Sequence, residues 1–161
     1  YAYSDPSGYD AIVVVQGNNI IIKIPITISG GTHDQRQGIT NSIAQQWSGH
    51  FGKYHVKTEV TSGSMNSMTV VNAPLRDYAQ SDSRGHYDMA KVTSNGDYGW
   101  SSAHEAGHLM GLGDKYKDVG KNSIPLPGFG ENIMGARDQT GVTEGQITQI
   151  INSPQNTIIK K

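Results

Sequence analysis

His104-Glu105-Ala106-Gly107-His108-Leu109-Met110-Gly111-Leu112-Gly113-Asp114 is the stretch from which the rest of the chain is read. Residues four apart on a helix stand one turn above each other on one face. A helix here therefore presents the His104 and His108 imidazoles to a common point, at a spacing that fits one Zn²⁺. Glu105 follows the first histidine and is displaced around the helix. It stands beside the metal rather than on it, where it can take a proton from a water that the metal activates. Two imidazoles leave a tetrahedral site incomplete. Gly111 allows a sharp turn, and a turn there brings Asp114 back as a third, oxygen ligand. Two plainer roles compete for Asp114, helix cap and turn residue, and in that case Asp118 is the substitute ligand.

The flanking sequence supplies strands before this helix and a second helix after it. Ala11–Gln16 and Ile20–Ser29 read as strands joined at the Gly17-Asn18-Asn19 turn, with Pro25 placing the second strand at an edge or a bulge. Thr32 or Asp34 caps a helix running to about Ser48. Its Ile39, Ile43 and Trp47 form one apolar stripe, and Gly49 supplies a left-handed end. Lys53–Thr61, Ser67–Asn72 and His86–Thr93 are further strands. The metal helix begins near Ser101 or Ser102 and ends near Gly111. Lys115–Gly130, rich in Gly, Pro and Lys, reads as loop. Thr143 and Gln146 then form a capping box and Val142 and Ile147 a hydrophobic staple, opening a helix that Pro154 ends.

At 161 residues the chain is one domain, large enough to bury a core without staples, so its lack of cysteine is no handicap. Sixteen Ile against four Leu tilt the composition towards strands, hence α+β rather than a helical bundle. A net charge of −1 provides no field to gather nucleic acid or to coat an anionic membrane. The longest apolar run, Ala11–Val15, is far too short to span a bilayer. The sequence opens at Tyr1 rather than Met, with no secretory signal, so an upstream region is expected outside it.

The His-Glu-x-x-His-x-x-Gly-x-x-Asp pattern over 104–114 resembles the zinc-binding motif of the metzincin clan of metalloproteases, in particular its snapalysin-like members with Asp as third ligand. Glu131-Asn132-Ile133-Met134-Gly135, just before the terminal helix, is similar to that clan's Met-turn, with Met134 beneath the metal. The resemblance implies a metzincin-like α+β fold: a twisted, mostly parallel sheet with an antiparallel edge strand, an early helix, the zinc helix, the Met-turn and a C-terminal helix. It divides the domain, 10–161, into an N-terminal part of about 10–111 and a C-terminal part of about 112–161. It also implies a Zn²⁺ cofactor on His104, His108 and Asp114, with Glu105 as catalytic base. His86 falls on the edge strand that would pair with extended substrate, and Arg137 lies just past the Met-turn, where it would line the pocket. Asp in place of the commoner third His adds negative charge and makes the metal a weaker Lewis acid. Tyr98 and Tyr116 both stay open as donors to a developing oxyanion. The opening residues 1–9, Tyr-rich with an Asp5-Pro6-Ser7-Gly8 turn, resemble the junction in RHS-repeat proteins between the conserved core and a C-terminal toxin.

The expectation is a zinc metalloendopeptidase acting on a protein or peptide substrate. It is a monomer, secreted or delivered into a target cell, with a cognate inhibitor or immunity protein as a further partner and no nucleic acid. Two alternatives stand beside it: a non-catalytic zinc-stabilised binding module, against which the intact Glu105 argues, and an RHS-associated toxin of another activity. For the latter, neither a deaminase signature nor a basic groove is present.

Overall fold

The computed structural model describes residues 11–70 and 98–161. The 1–9 junction, the end of the expected Ser67–Asn72 strand, and the expected strand His86–Thr93 with His86 itself lie outside them. The fold is α+β, with a mixed five-stranded sheet and three helices among the described residues. β1 (Ile12–Gln16) and β2 (Asn19–Ser29) form an antiparallel hairpin in which Gln16 faces Asn19. Gly17 takes φ +62° at the first turn position, where a type II′ turn needs a glycine. Along β2, Ile20, Ile22, Ile24 and Ile26 are buried while Ile21 and Thr27 are exposed, the period of two that a one-sided sheet demands.

α1 (His33–Gln46) starts at Thr32 rather than Asp34: the Thr32 hydroxyl accepts from Gln35 N–H, and the Gln35 side chain accepts from Thr32 N–H. Its stripe Ile39, Ile43 and Trp47 is fully buried. The helix ends on Trp47, and Gly49 instead opens the short β3 (Gly49–Phe51), which pairs antiparallel with β4 (Tyr54–Thr69). β4 lies parallel to β2 and merges the two strands expected over Lys53–Thr61 and Ser67–Asn72. Pro25 faces Thr61 and Ile26 faces Asn66, so residues 62–65 loop out of register as a bulge. Pro25 has no N–H to give the ladder, and the Asn66 side chain donates to its carbonyl at 2.9 Å.

The metal helix, α2 (Tyr98–Leu109), begins before the expected Ser101. The stretch read as loop contains a hairpin, β5 (Tyr116–Val119) and β6 (Asn122–Pro125). Its apolar residues gave no alternation signal because they are not buried: Val119 and Ile124 are each 50% exposed. α3 (Glu144–Asn152) has the expected capping box, and β7 (Thr157–Lys160) adds parallel to β1.

The sheet order is β3-β4-β2-β1-β7. Among the described residues two of its pairings are parallel and two antiparallel, so the sheet is mixed, while the expected edge strand lies outside them. Two-residue turns at Gly17-Asn18 and Gly52-Lys53 force their strands antiparallel, whereas the longer connection through α1 permits a parallel return. A single core joins Val13, Ile22 and Val56 of the sheet to Ile43 of α1, Ala106 of α2 and Ile147 of α3. Each fully buried Ile contributes about 1.5–3 kcal/mol. The buried Asn156 fastens three ends together. Its Oδ1 accepts from Ala11 N–H at 2.9 Å, and its Nδ2 donates to Met110 O at 2.9 Å and Ile150 O at 3.0 Å. No helix among the described residues is long and apolar enough to cross a membrane.

Candidate metal centre

Helix α2 ends in a Schellman motif. Gly111, at φ +102°, donates its N–H to His108 O at 3.0 Å, and Leu112 N–H reaches back to Gly107 O at 3.0 Å. This reversal does two things. It puts Leu112 O 2.8 Å from His108 Nδ1, and it returns the chain so that Asp114 faces the helix it has just left.

His104 is buried, His108 half-buried and Asp114 exposed, and together they form a group able to hold a metal ion, their ligand atoms within 4.8 Å of one another. Asp114 Oδ1 lies 3.3 Å from His104 Nε2 and 3.0 Å from His108 Nε2. His104 Nδ1 is 2.9 Å from Ile133 O, in the 131–135 turn. A carbonyl only accepts, so both Nδ1 atoms carry the ring proton and donate it, which leaves each neutral ring's Nε2 lone pair for the cluster.

The donor set fits a divalent ion that takes nitrogen and oxygen. Bonds of about 2.0–2.1 Å to a tetrahedral ion give ligand-to-ligand edges of about 3.4 Å, close to the 3.3 and 3.0 Å between Asp114 Oδ1 and the two Nε2 atoms. A tetrahedral ion held by these three residues would keep a fourth position open, and Asp114, the exposed member, lies at the surface. Asp118, the substitute ligand, accepts instead from Ser123 Oγ at 2.6 Å within the hairpin.

The charges in the site act on one another. Burial alone would raise the Asp114 carboxyl, but hydrogen bonds and charge from His104 and His108 hold it well below the usual carboxylate range. Burial likewise opposes protonation of His108, yet the Asp114 hydrogen bond, the charges of Glu105 and Asp114 and the Leu112 carbonyl push it above 6.5. Tyr116 is pushed up to about 12 by burial, by the negative charges of Asp114, Asp118 and Glu105, and by a hydrogen bond with Asp114. Glu105 is itself buried, and its negative charge is among the influences that raise His108 and Tyr116.

Met134 is fully buried under α2, and Arg137 is exposed beyond the turn. Trp100, one turn before His104, brings its ring to 5.0 Å from the imidazole, and the Tyr116 ring lies 6.3 Å from it. Tyr116, one of the two tyrosines left open, thus lies beside the His104, His108 and Asp114 group. Sequence reasoning missed Ile133 O and Leu112 O, since a backbone carbonyl carries no residue identity. It also missed Asn132, whose only signal was its place two residues before Met134. No protein-family model matches this chain, and no curated protein matches its sequence.

Proposed function

We propose that the chain is a zinc-dependent endopeptidase of metzincin-like build, with His104, His108 and Asp114 as ligands and Glu105 as catalytic base. The observation that carries this reading is the His104, His108 and Asp114 group, able to hold a metal ion, with the buried Glu105 directly after the first of the three on the same helix. A structural site needs no such base. Zinc, when bound, supplies Lewis acidity towards the scissile carbonyl and towards water. Glu105 takes a proton from the attacking water and returns it to the leaving amine nitrogen. Ile133 O and Leu112 O keep the imidazoles aimed while charge builds on the substrate. Tyr116 holds its proton well above neutral pH, so its O–H is the group we assign to the developing oxyanion.

The test compares wild type with Glu105→Gln on an unstructured protein such as casein, with zinc content measured in parallel. Zinc is expected to stay near one equivalent in both, while hydrolysis falls about 10²–10⁴-fold in the variant. Wild-type protein that holds zinc yet cleaves no member of a broad peptide library overturns the reading in favour of a structural metal. Release or delivery into a target cell is proposed on the resemblance of residues 1–9 alone. Growth arrest by wild type, but not by Glu105→Gln, on expression inside cells is its test.

A further inference from the structure

The turn beneath the metal group is held by an amide pair that the proposed reaction does not use. Asn132 and Gln146 are both buried, 4% and 3% exposed, and face each other across the space between the turn and α3. Asn132 Nδ2 donates to Gln146 Oε1 at 2.8 Å, and Gln146 Nε2 donates to Asn132 Oδ1 at 2.9 Å. Backbone donors at the two ends fix which way each amide points. Met134 N–H donates to Asn132 Oδ1 at 2.9 Å, and Thr143 N–H donates to Gln146 Oε1 at 3.0 Å. Turning either amide over would set N–H against N–H in a buried site, so the pair has a single arrangement.

Two ligands take their orientation from this turn. Ile133 O, between the clasped Asn132 and Met134, receives the His104 Nδ1 proton. Met134 O receives Lys115 N–H at 2.8 Å, which anchors the residue directly after Asp114. His108 differs, because its acceptor, Leu112 O, belongs to its own helix end.

From this we infer that Asn132 and Gln146 are positioning residues, which set His104 and Asp114 as a pair by fixing the carbonyls of Ile133 and Met134. The inference rests on the metal-centre reading above. It gives the capping-box glutamine of α3 a second task, coupling the start of the last helix to the aim of a ligand on another. Outer partners of metal ligands of this kind typically govern about 10–100-fold in metal affinity.

The experiment separates that task from helix capping. Gln146→Glu preserves the capping box, since Glu serves at this position as well as Gln, but it sets a carboxylate oxygen against Asn132 Oδ1. Thr143→Ala removes the hydroxyl that accepts from Gln146 N–H at 3.1 Å and leaves the amide pair in place. Co²⁺ is titrated into each full-length protein against a competing chelator, with its visible absorption recorded and the fold checked by circular dichroism. Gln146→Glu is expected to bind about 10–100-fold more weakly than wild type, with shifted cobalt bands. Thr143→Ala is expected to lose thermal stability at unchanged affinity and spectrum. Gln146→Met, which deletes the bonds without adding charge, takes the place of Gln146→Glu if the latter does not fold. Wild-type affinity and spectrum in the Gln146 variants, or an equal loss in Thr143→Ala, overturns the inference while the metal centre stands. Failure of wild type itself to bind Co²⁺, or undiminished binding by His104→Ala, overturns the metal-centre reading and the inference with it.

Discussion

Met134 fills the space that a side chain at Gly107 would need: a Cβ there would lie 2.5 Å from Met134 Sδ and 3.1 Å from Trp47 Cζ2. Gly107 sits between the two histidines, so the missing side chain lets the helix settle onto the turn that orients His104. Gly107→Ala gains helix propensity of about 1 kcal/mol but forces Met134 and Trp47 apart in a filled core, which costs about 1–3 kcal/mol. The expected net outcome is a lower melting temperature of the metal-free protein together with weaker zinc binding. An unchanged or raised melting temperature counts against this packing account.

Zinc is expected near one equivalent per chain by elemental analysis, and removing it with a chelator should lower the melting temperature. Zinc at 100 times its dissociation constant stabilises the folded chain by about 2.7 kcal/mol. His104→Ala, His108→Ala and Asp114→Ala should each weaken binding, because two protein ligands cannot complete the site. Zinc retained at full affinity in Asp114→Ala would assign the third ligand to another residue.

Tyr116→Phe removes one hydroxyl and keeps the ring near His104. Peptide hydrolysis should fall about 10²–10³-fold in kcat with little change in KM, as when an oxyanion donor is lost. Metal content should not change. A loss confined to KM would make Tyr116 a substrate-binding residue instead.

In the metal-free protein, Asp114 and His108 set opposite limits on stability with pH. Asp114 is depressed, so its contribution is present above 3.8 and fades as acid protonates it below that value. His108 is raised, so its contribution is complete below 6.5 and fades as pH climbs through its folded value. Chelator-treated wild type should gain most from the pair between about pH 4 and 6.5. Asp114→Asn should flatten that maximum in thermal melts followed across pH. Metal affinity runs the other way and should rise with pH as His108 loses its proton.

Much of this was legible where a residue's own chemistry dictates local structure. The Ile39, Ile43 and Trp47 stripe, the Thr143 and Gln146 box and the bulge opposite Pro25 all follow from period, capping and a missing N–H. The spacing of His104 and His108 with the Gly111 turn accounts for their meeting Asp114. β7 was not legible, because four residues just past a helix stop carry too little periodicity, and only the edge of β1 makes them a strand. β5 and β6 escaped because local pairing rather than burial holds them. The acceptors Ile133 O and Leu112 O lay beyond reach for a further reason: any residue could supply them, and the turn alone decides where they point.

The fastening by Asn156 and the His104 to Ile133 bond set an order in time as well as in space. A ribosome releases the ligand helix first, and the carbonyl that aims His104 comes 29 residues later. The amide that ties Met110 at the helix end comes 46 residues after it. A nascent chain therefore carries His104 unaimed until Ile133 has emerged, and its helix end untied until Asn156 has, whereas His108 finds its acceptor at once in Leu112 O. In partial translation products the His104, His108 and Asp114 group would lack the turn that orients its first member.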